Sequence, residues 1–386
     1  MTTHHTRDDY HGFELGPIRP PSEADSLLLR ITRNCPWNKC TFCGLYKGER
    51  FGIRRVDHIR SDIDRVRHYV DEIEKTVHAE AGDGRALASL QVGLTRADQM
   101  AFHAAMTFMR GGMKSIFLQD ANTLVVKPDD LVEILQHARQ AFPQVDRVTS
   151  YARSTSVARI GDDDMAKLAA AGLNRVHIGM ESAADEVLAF VRKGVDKQTH
   201  IHAGQKVKKA GIELSEYFMP GLGGEVFSRE NALETADALN QIDADFIRIR
   251  TLGIPEVVDL HKEVAAGTFK PPGEKQKAEE LLMFLDHLHG INSMVKSDHI
   301  LNLLQEVEGR FPQDQGRMTA PIRAFLTMEP QKQVFYIVGR RTGIFRRLAD
   351  LDDDELCAHA EKALAAHGVT IDNVDVWAAE MMQRFI

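Results

Sequence analysis

Three cysteines, Cys35, Cys40 and Cys43, fall within nine residues in the segment RITRNCPWNKCTFCGLYKGERF. Their spacing is C-x4-C-x2-C, and the fourth cysteine of the chain, Cys357, lies far away. Thiolates are soft ligands that suit iron–sulfur clusters or zinc. A disulfide framework would spread its cysteines through a small secreted domain, so this cluster reads as a ligand set in a reducing compartment. Three readings stand side by side. A structural zinc site needs a fourth ligand such as His58, and no second paired half is present. A ferredoxin-like electron carrier shares the spacing but ends in a fourth cysteine, for which only Cys357 is available. A 4Fe–4S cluster with three protein ligands would keep one iron open for a substrate or cofactor.

The elements that must position these thiols alternate along the chain. Residues 27–32 form a short apolar run that fits a buried strand, and the cysteine loop follows at once. Residues 57–79 carry Ile59, Ile63, Val66, Val70 and Ile73 at helical spacing. Strand-like segments at 115–120, 146–152, 175–181, 212–219 and 245–252 are separated by helical patterns at 129–141, 162–171, 197–210 and 228–240. About six strands separated by helices predict an α/β fold of repeated βα units with a parallel sheet, either closed or open. Functional residues then belong at the C-terminal ends of strands. Residues 1–24, with Pro17, Pro20 and Pro21, read as an N-terminal arm. Residues 25–255 read as the βα domain, and 256–386 as a mostly helical C-terminal extension, with 275–308 helical and 333–339 a short strand.

The chain has 386 residues, 43% of them apolar, and a formal net charge of −8. That is enough to bury a large core. No basic run marks general nucleic-acid binding. No apolar stretch suits a membrane span or a secretory signal, so the expected location is the cytoplasm.

The strand–cysteine-loop order, the aromatic Phe42 before the third cysteine, and the later segments in the same order resemble the radical S-adenosylmethionine (SAM) superfamily. The likeness runs over roughly residues 25–255. The superfamily's usual motif is C-x3-C-x2-C, so this chain has one extra residue in the first gap. The resemblance implies a partial (β/α)6 TIM-like barrel and an oxygen-sensitive 4Fe–4S cluster on Cys35, Cys40 and Cys43. It also implies SAM on the fourth iron and an external electron donor such as flavodoxin or ferredoxin. SAM would then be cleaved to a 5′-deoxyadenosyl radical that takes a hydrogen atom from the substrate.

The resemblance also nominates cofactor contacts. Phe42 is expected near the adenine. Asp120 and Asn122 stand where the family usually has a glycine pair that meets the SAM amino group. Ser150 and Arg153 end the third strand, where an arginine suits the SAM carboxylate. Glu181 matches a ribose-contacting position, Arg192 and Lys193 a cation near the carboxylate, and Glu216 closes the fifth strand with the turn at 219–224. Arg248 and Arg250 alternate on the sixth strand and share one face. If that face is the barrel interior, Arg250 would meet an anionic substrate. In the extension, His299 and Asn302 are expected on one helix face, and with Arg340 they are candidate substrate contacts. With only Cys357 left over, auxiliary clusters are disfavoured. The loop of cobalamin-dependent relatives is absent, since Asp259-x-His261 lacks its glycine. A single-cluster reaction on a small molecule is the expectation.

Overall fold

The computed structural model describes residues 9–79 and 84–385. The first eight residues of the expected arm lie outside the described residues. The chain falls into two compact units. The first takes in residues up to Pro36, Gly48–His177 and Lys206–Glu213. The second takes in Trp37–Lys47, Ile178–Gln205 and Leu214 onward.

In the first unit, strand β1 (Leu27–Arg30) is followed by a small antiparallel pair, β2 (Thr32–Arg33) and β3 (Gly52–Ile53). The sheet continues with β4 (Ser115–Gln119) and β5 (Arg147–Ala152). β4 lies parallel to both β1 and β5, with Leu27 opposite Ile116 and Ser115 opposite Arg147. Ile116, Phe117 and Leu118 are all fully buried, as a parallel strand covered on both faces requires. Helix Val56–Ala79 buries Ile59, Ile63, Val66, Val70 and Ile73, the predicted stripe. Helix Arg96–Arg110 was not predicted. Its buried stripe is Ala101, Phe102, Ala105 and Phe108, half of it alanine, and its start is capped by the Thr95 side chain accepting from the Asp98 amide. The arm residues that are described are tied down rather than loose. The Gly16 amide donates to Gln119 Oε1 at 2.9 Å, Gln119 Nε2 donates to the Ile18 carbonyl at 2.6 Å, and Phe13 is buried.

Strand β6 (Arg175–Glu181) runs through the boundary, with residues up to His177 in the first unit and from Ile178 in the second. The second unit holds β7 (Glu213–Phe218, from Leu214), β8 (Phe246–Ile249), β9 (Met294–Lys296) and β10 (Gly309–Arg310). β8 is parallel to β7 and β9, and β10 is antiparallel to β9. An apolar core of Ala184, Val187, Val191, Leu222, Leu252, Val258, Leu260 and Phe269 packs with the half-buried Phe42 and Met219.

Three expectations for the C-terminal part are corrected. Residues 333–339 are not a strand. They lie in helix Pro330–Arg341, which starts with Pro330 in its first turn and buries Val334, Ile337, Val338 and Arg341 at helical spacing. The run expected as helix from 275 to 308 is helical only over Glu274–Asp286, and β9 and β10 follow. β9 is held by pairing with β8, a tertiary cause that local periodicity does not carry. Residues 297–304 are not a helix, so His299 and Asn302 do not share a helix face. Asn302 instead spends its amide on the backbone. Oδ1 accepts from the Thr251 amide at 2.9 Å, and Nδ2 donates to the Ile249 carbonyl at 2.9 Å and to Ser297 Oγ at 3.0 Å.

Candidate active site

In the second unit the part of the cysteine loop from Trp37 to Lys47, which carries Cys40 and Cys43, is anchored by residues far away in sequence, whereas Cys35 belongs to the first unit. The Thr41 amide donates to the Val191 carbonyl at 3.0 Å, and the Leu260 amide donates to the Thr41 carbonyl at 2.8 Å. The Trp37 indole donates to the Arg192 carbonyl at 2.7 Å. A side chain at Gly194 would run into the Trp37 ring, with a Cβ only 2.2 Å from it, and Gly194 also adopts φ +70°, so that position requires glycine. Within the loop the Cys43 amide donates to the Cys40 carbonyl at 3.4 Å, a turn that brings these two thiols close in the chain. Cys40 is buried, Cys35 and Cys43 are half-buried, and none of the three is in a disulfide.

Beside this loop, Lys193 Nζ lies 5.7 Å from the Phe42 ring centroid and pairs with the Glu181 carboxylate. Lys193 is buried, whereas Arg192 is exposed, and the Arg192 contact with the loop is made by its carbonyl. Glu181, the last residue of β6, adopts φ +61°, and its carboxylate lies over Gly179, where a Cβ would clash at 2.3 Å. The Glu181 carbonyl accepts from the Met219 amide at 2.9 Å. Glu216 on β7 is fully buried. Burial pushes its carboxyl well above the usual range, against the opposing pull of the Lys193 charge. Phe42, Glu181 and Lys193, all nominated by sequence, are thus brought together, while Glu216 feels the Lys193 charge without a direct bond to the group.

The turn at 219–224 is held by a residue that sequence reasoning missed. Glu280 of helix Glu274–Asp286 is buried and accepts from the Gly221 amide at 3.1 Å, Ser228 Oγ at 2.6 Å and Asn231 Nδ2 at 2.6 Å. Asn231 also donates to the Met219 carbonyl at 3.1 Å. Burial pushes Glu280 up to about 7, although all three donors favour the carboxylate. A carboxyl raised in the folded state gives stability that is complete below the unfolded value near 4.5 and lost as pH rises through about 7. Urea unfolding of the wild type is expected to weaken between pH 5 and 8 by about 2–3 kcal/mol from this group. Glu280→Gln keeps the two contacts to one oxygen and lets its amide donate to Ser228, so its profile is expected to be flatter by that amount. An unchanged slope would assign the pH dependence elsewhere.

In the first unit the nominated residues at strand ends are already committed to protein partners. Asp120, after β4, is fully buried. It accepts from Arg30 Nη2 at 2.9 Å and Nε at 3.0 Å, and from the Asn34 amide at 3.4 Å. These bonds make it an anchor for the chain entering the cysteine segment. Asn122 accepts from the Arg153 amide at 3.0 Å and donates to Ser156 Oγ at 2.8 Å, which ties down the turn after β5. Ser150 donates to the Tyr151 carbonyl at 3.0 Å. Arg153 follows β5 and is half-buried. His58 lies in helix Val56–Ala79 with its ring 5.3 Å from Tyr10. In the C-terminal part, Arg340, like Asn302, is committed to main-chain partners. It is buried and donates to the Leu303, Phe345 and Asn302 carbonyls at 2.8–2.9 Å.

Residues 29–236, more than half of the chain, match the radical SAM superfamily. The chain belongs to that superfamily: it is an enzyme of the radical SAM class, and its cofactors are a 4Fe–4S cluster and SAM. Its fold is the α/β partial barrel of that family. The chain is also similar to the tRNA uridine(34) acetyltransferase of Methanocaldococcus jannaschii, 24% identical over 120 residues, covering 31% of this chain and 22% of that protein. The protein of the same name from Methanocaldococcus infernus is 27% identical over 109 residues, covering 28% of this chain and 20% of that one. The chain therefore spans about a fifth of the length of these curated relatives. Among solved structures, coproporphyrinogen III oxidase from Escherichia coli, a radical SAM enzyme, is 14% identical with a TM-score of 0.44, covering 68% of this chain and 51% of that one.

The donor set fits the cluster. The three thiols of this segment, none of them in a disulfide, would supply three soft ligands and leave one iron open. Among the described residues no three His, Cys, Asp or Glu side chains form a single-ion site. Thiolates on a cluster each hold a different iron, so they need not converge on one point. Among the described residues no helix is long and apolar enough to cross a membrane.

Proposed function

We propose that Cys35, Cys40 and Cys43 hold the cluster and that the enzyme cleaves SAM reductively to take a hydrogen atom from a small-molecule substrate. The observation that carries this reading is the disulfide-free cysteine segment, whose Phe42 lies against Lys193, itself paired with Glu181. Bound and reduced, the cofactor pair supplies a 5′-deoxyadenosyl radical strong enough to attack an unactivated C–H bond. The protein's part is to place, orient and screen.

Phe42 offers an apolar face for the adenine. Glu181 accepts from the ribose hydroxyls, and Lys193 faces the SAM carboxylate. The Lys193–Glu181 pair holds both side chains in place before SAM arrives. Lys193 is preferred to Arg192 because it is the buried one of the two. Glu216 adds a buried carboxyl that feels the Lys193 charge. On this reading residues 25–255 bind the cofactors, 256–386 form the C-terminal extension, and 1–24 are an N-terminal arm. Members of the class take electrons from an external reductant, here a flavodoxin or ferredoxin of a cytoplasmic enzyme. The curated relatives are named for a tRNA uridine, but the net charge of −8 and the lack of a basic run favour a small molecule. The test is SAM-dependent formation of 5′-deoxyadenosine by the reduced, reconstituted protein.

A further inference from the structure

Among the described residues, the half-buried guanidinium of Arg250 in the second unit has no hydrogen-bond acceptor. Arg250 directly follows β8. On that strand Ile249 lines a small cavity with Glu274, Ala278 and Leu281 of helix Glu274–Asp286. Ile249 therefore faces the helix layer, and period-two alternation turns Arg248 and Arg250 to the opposite, inner face. Tyr217 on β7 is the register partner of Arg248 and shares that face.

The Arg250 guanidinium stacks on the Tyr217 ring, 5.1 Å from its centroid. Among the described residues it has no carboxylate partner and no hydrogen-bond acceptor. Stacking occupies the face of the guanidinium and leaves its in-plane N–H fork unfilled. Arg248 does not share this condition, since Asp298 neutralises it at 3.0 Å. Next to Asp298 in sequence is His299, whose Nδ1 is shielded from solvent and makes no hydrogen bond. Burial first, and then the Arg250 charge, hold the imidazole down to about 4, so the ring is neutral at pH 7. A half-buried guanidinium and a buried ring nitrogen, both unpaired, are costly unless a ligand completes them.

We propose that Arg250 and His299 recognise a carboxylate of the substrate, an inference that rests on the radical SAM reading only for there being a substrate. Because Arg248 and Asp298 cancel, the group carries one net positive charge. That matches a monoanionic, planar carboxylate, which accepts two parallel bonds from an arginine fork. A phosphate dianion would leave charge unbalanced.

The test uses reconstituted holoprotein with SAM and a panel of aryl and alkyl carboxylic acids, each beside its primary amide, read by ligand-observed NMR. Acids are expected to bind in preference to their amides. Arg250→Met is expected to weaken acid binding about 10- to 100-fold, Arg250→Lys less, and His299→Ala by several-fold. Cluster content and circular dichroism of each variant show that it has folded. Equal binding of acids and amides, or acid binding unchanged in Arg250→Met, overturns the proposal. Tighter binding of inorganic phosphate than of any acid overturns it in favour of a phosphorylated or nucleic-acid ligand. Loss of SAM affinity in Arg250→Met with acid binding intact overturns it in favour of the SAM carboxylate. The panel needs no reduction or turnover. Acid selectivity without SAM cleavage would therefore indict the radical reading, and cleavage without acid selectivity would indict this site alone.

Discussion

Replacing Cys40 or Cys43 by alanine is expected to leave a protein that folds but cannot be reconstituted to the brown, iron-bearing form. Wild type is expected to hold about four irons per chain, and each variant a small fraction of that. Cys35→Ala is expected to behave alike, and SAM cleavage should vanish in all three. The physical reason is that each thiolate holds its own iron, so no remaining side chain substitutes for a lost one. Cys357→Ala is the internal control. Its thiol donates to the Leu351 carbonyl at 3.4 Å, and burial together with Asp354, Asp353 and Glu361 pushes its pKa up, which disfavours the thiolate a cluster needs. Iron content equal to wild type in Cys357→Ala and collapsed in the other three is the expected pattern. Loss of iron in Cys357→Ala would sink the three-thiol assignment.

The largest expected effect on stability comes from Arg341→Met. Arg341 Nη2 and Glu274 Oε2 lie 2.5 Å apart, each side chain only 2% exposed. Arg341 Nη1 also donates to the Leu301 carbonyl at 2.8 Å, and Lys277 donates to the other oxygen of Glu274 at 2.6 Å. Removing the arginine leaves a buried carboxylate with half of its compensation and an unpaired carbonyl, at a cost of about 3–5 kcal/mol in urea unfolding. Burial alone would raise Glu274, yet the charges of Arg341 and Lys277 win and hold it at about 2. A carboxyl lowered in the folded state gives stability that is complete above the unfolded value near 4.5 and lost as pH falls through about 2. The acid limb of the wild-type stability profile should therefore be steep, and that of Arg341→Met shallower. A cost under about 1 kcal/mol would show that the pair is not holding helix Pro330–Arg341 to helix Glu274–Asp286.

The parallel strands were legible because strands buried on both faces read as short apolar runs, as SIFLQ does in β4. The cysteine loop was legible because ligand spacing is a local property. What attaches that loop was not: Trp37 and Arg192 stand 155 residues apart, and nothing near Gly194 announces that an indole will press on it. The same limit explains Asp120. As a carboxylate at a strand end it suited a cofactor, but its commitment to Arg30 depends on β1 lying beside β4. Arg340 and Asn302 misled for the opposite reason. Polar side chains in an extension read as substrate contacts, while in the structure Arg340 donates to the Asn302 and Leu303 carbonyls of the irregular segment 297–305, and Asn302 donates to the Ile249 carbonyl of β8. Sequence narrowed Arg248 and Arg250 to a shared face, and only the packing of Ile249 against helix Glu274–Asp286 decides which face.

The most direct test of the central claim is anaerobic. The purified chain is reconstituted with iron and sulfide, reduced with dithionite and mixed with SAM, and 5′-deoxyadenosine is quantified by mass spectrometry. The proposed function predicts slow formation of that product, dependent on the cluster and abolished by Cys40→Ala. A reduced cluster that leaves SAM intact would contradict it.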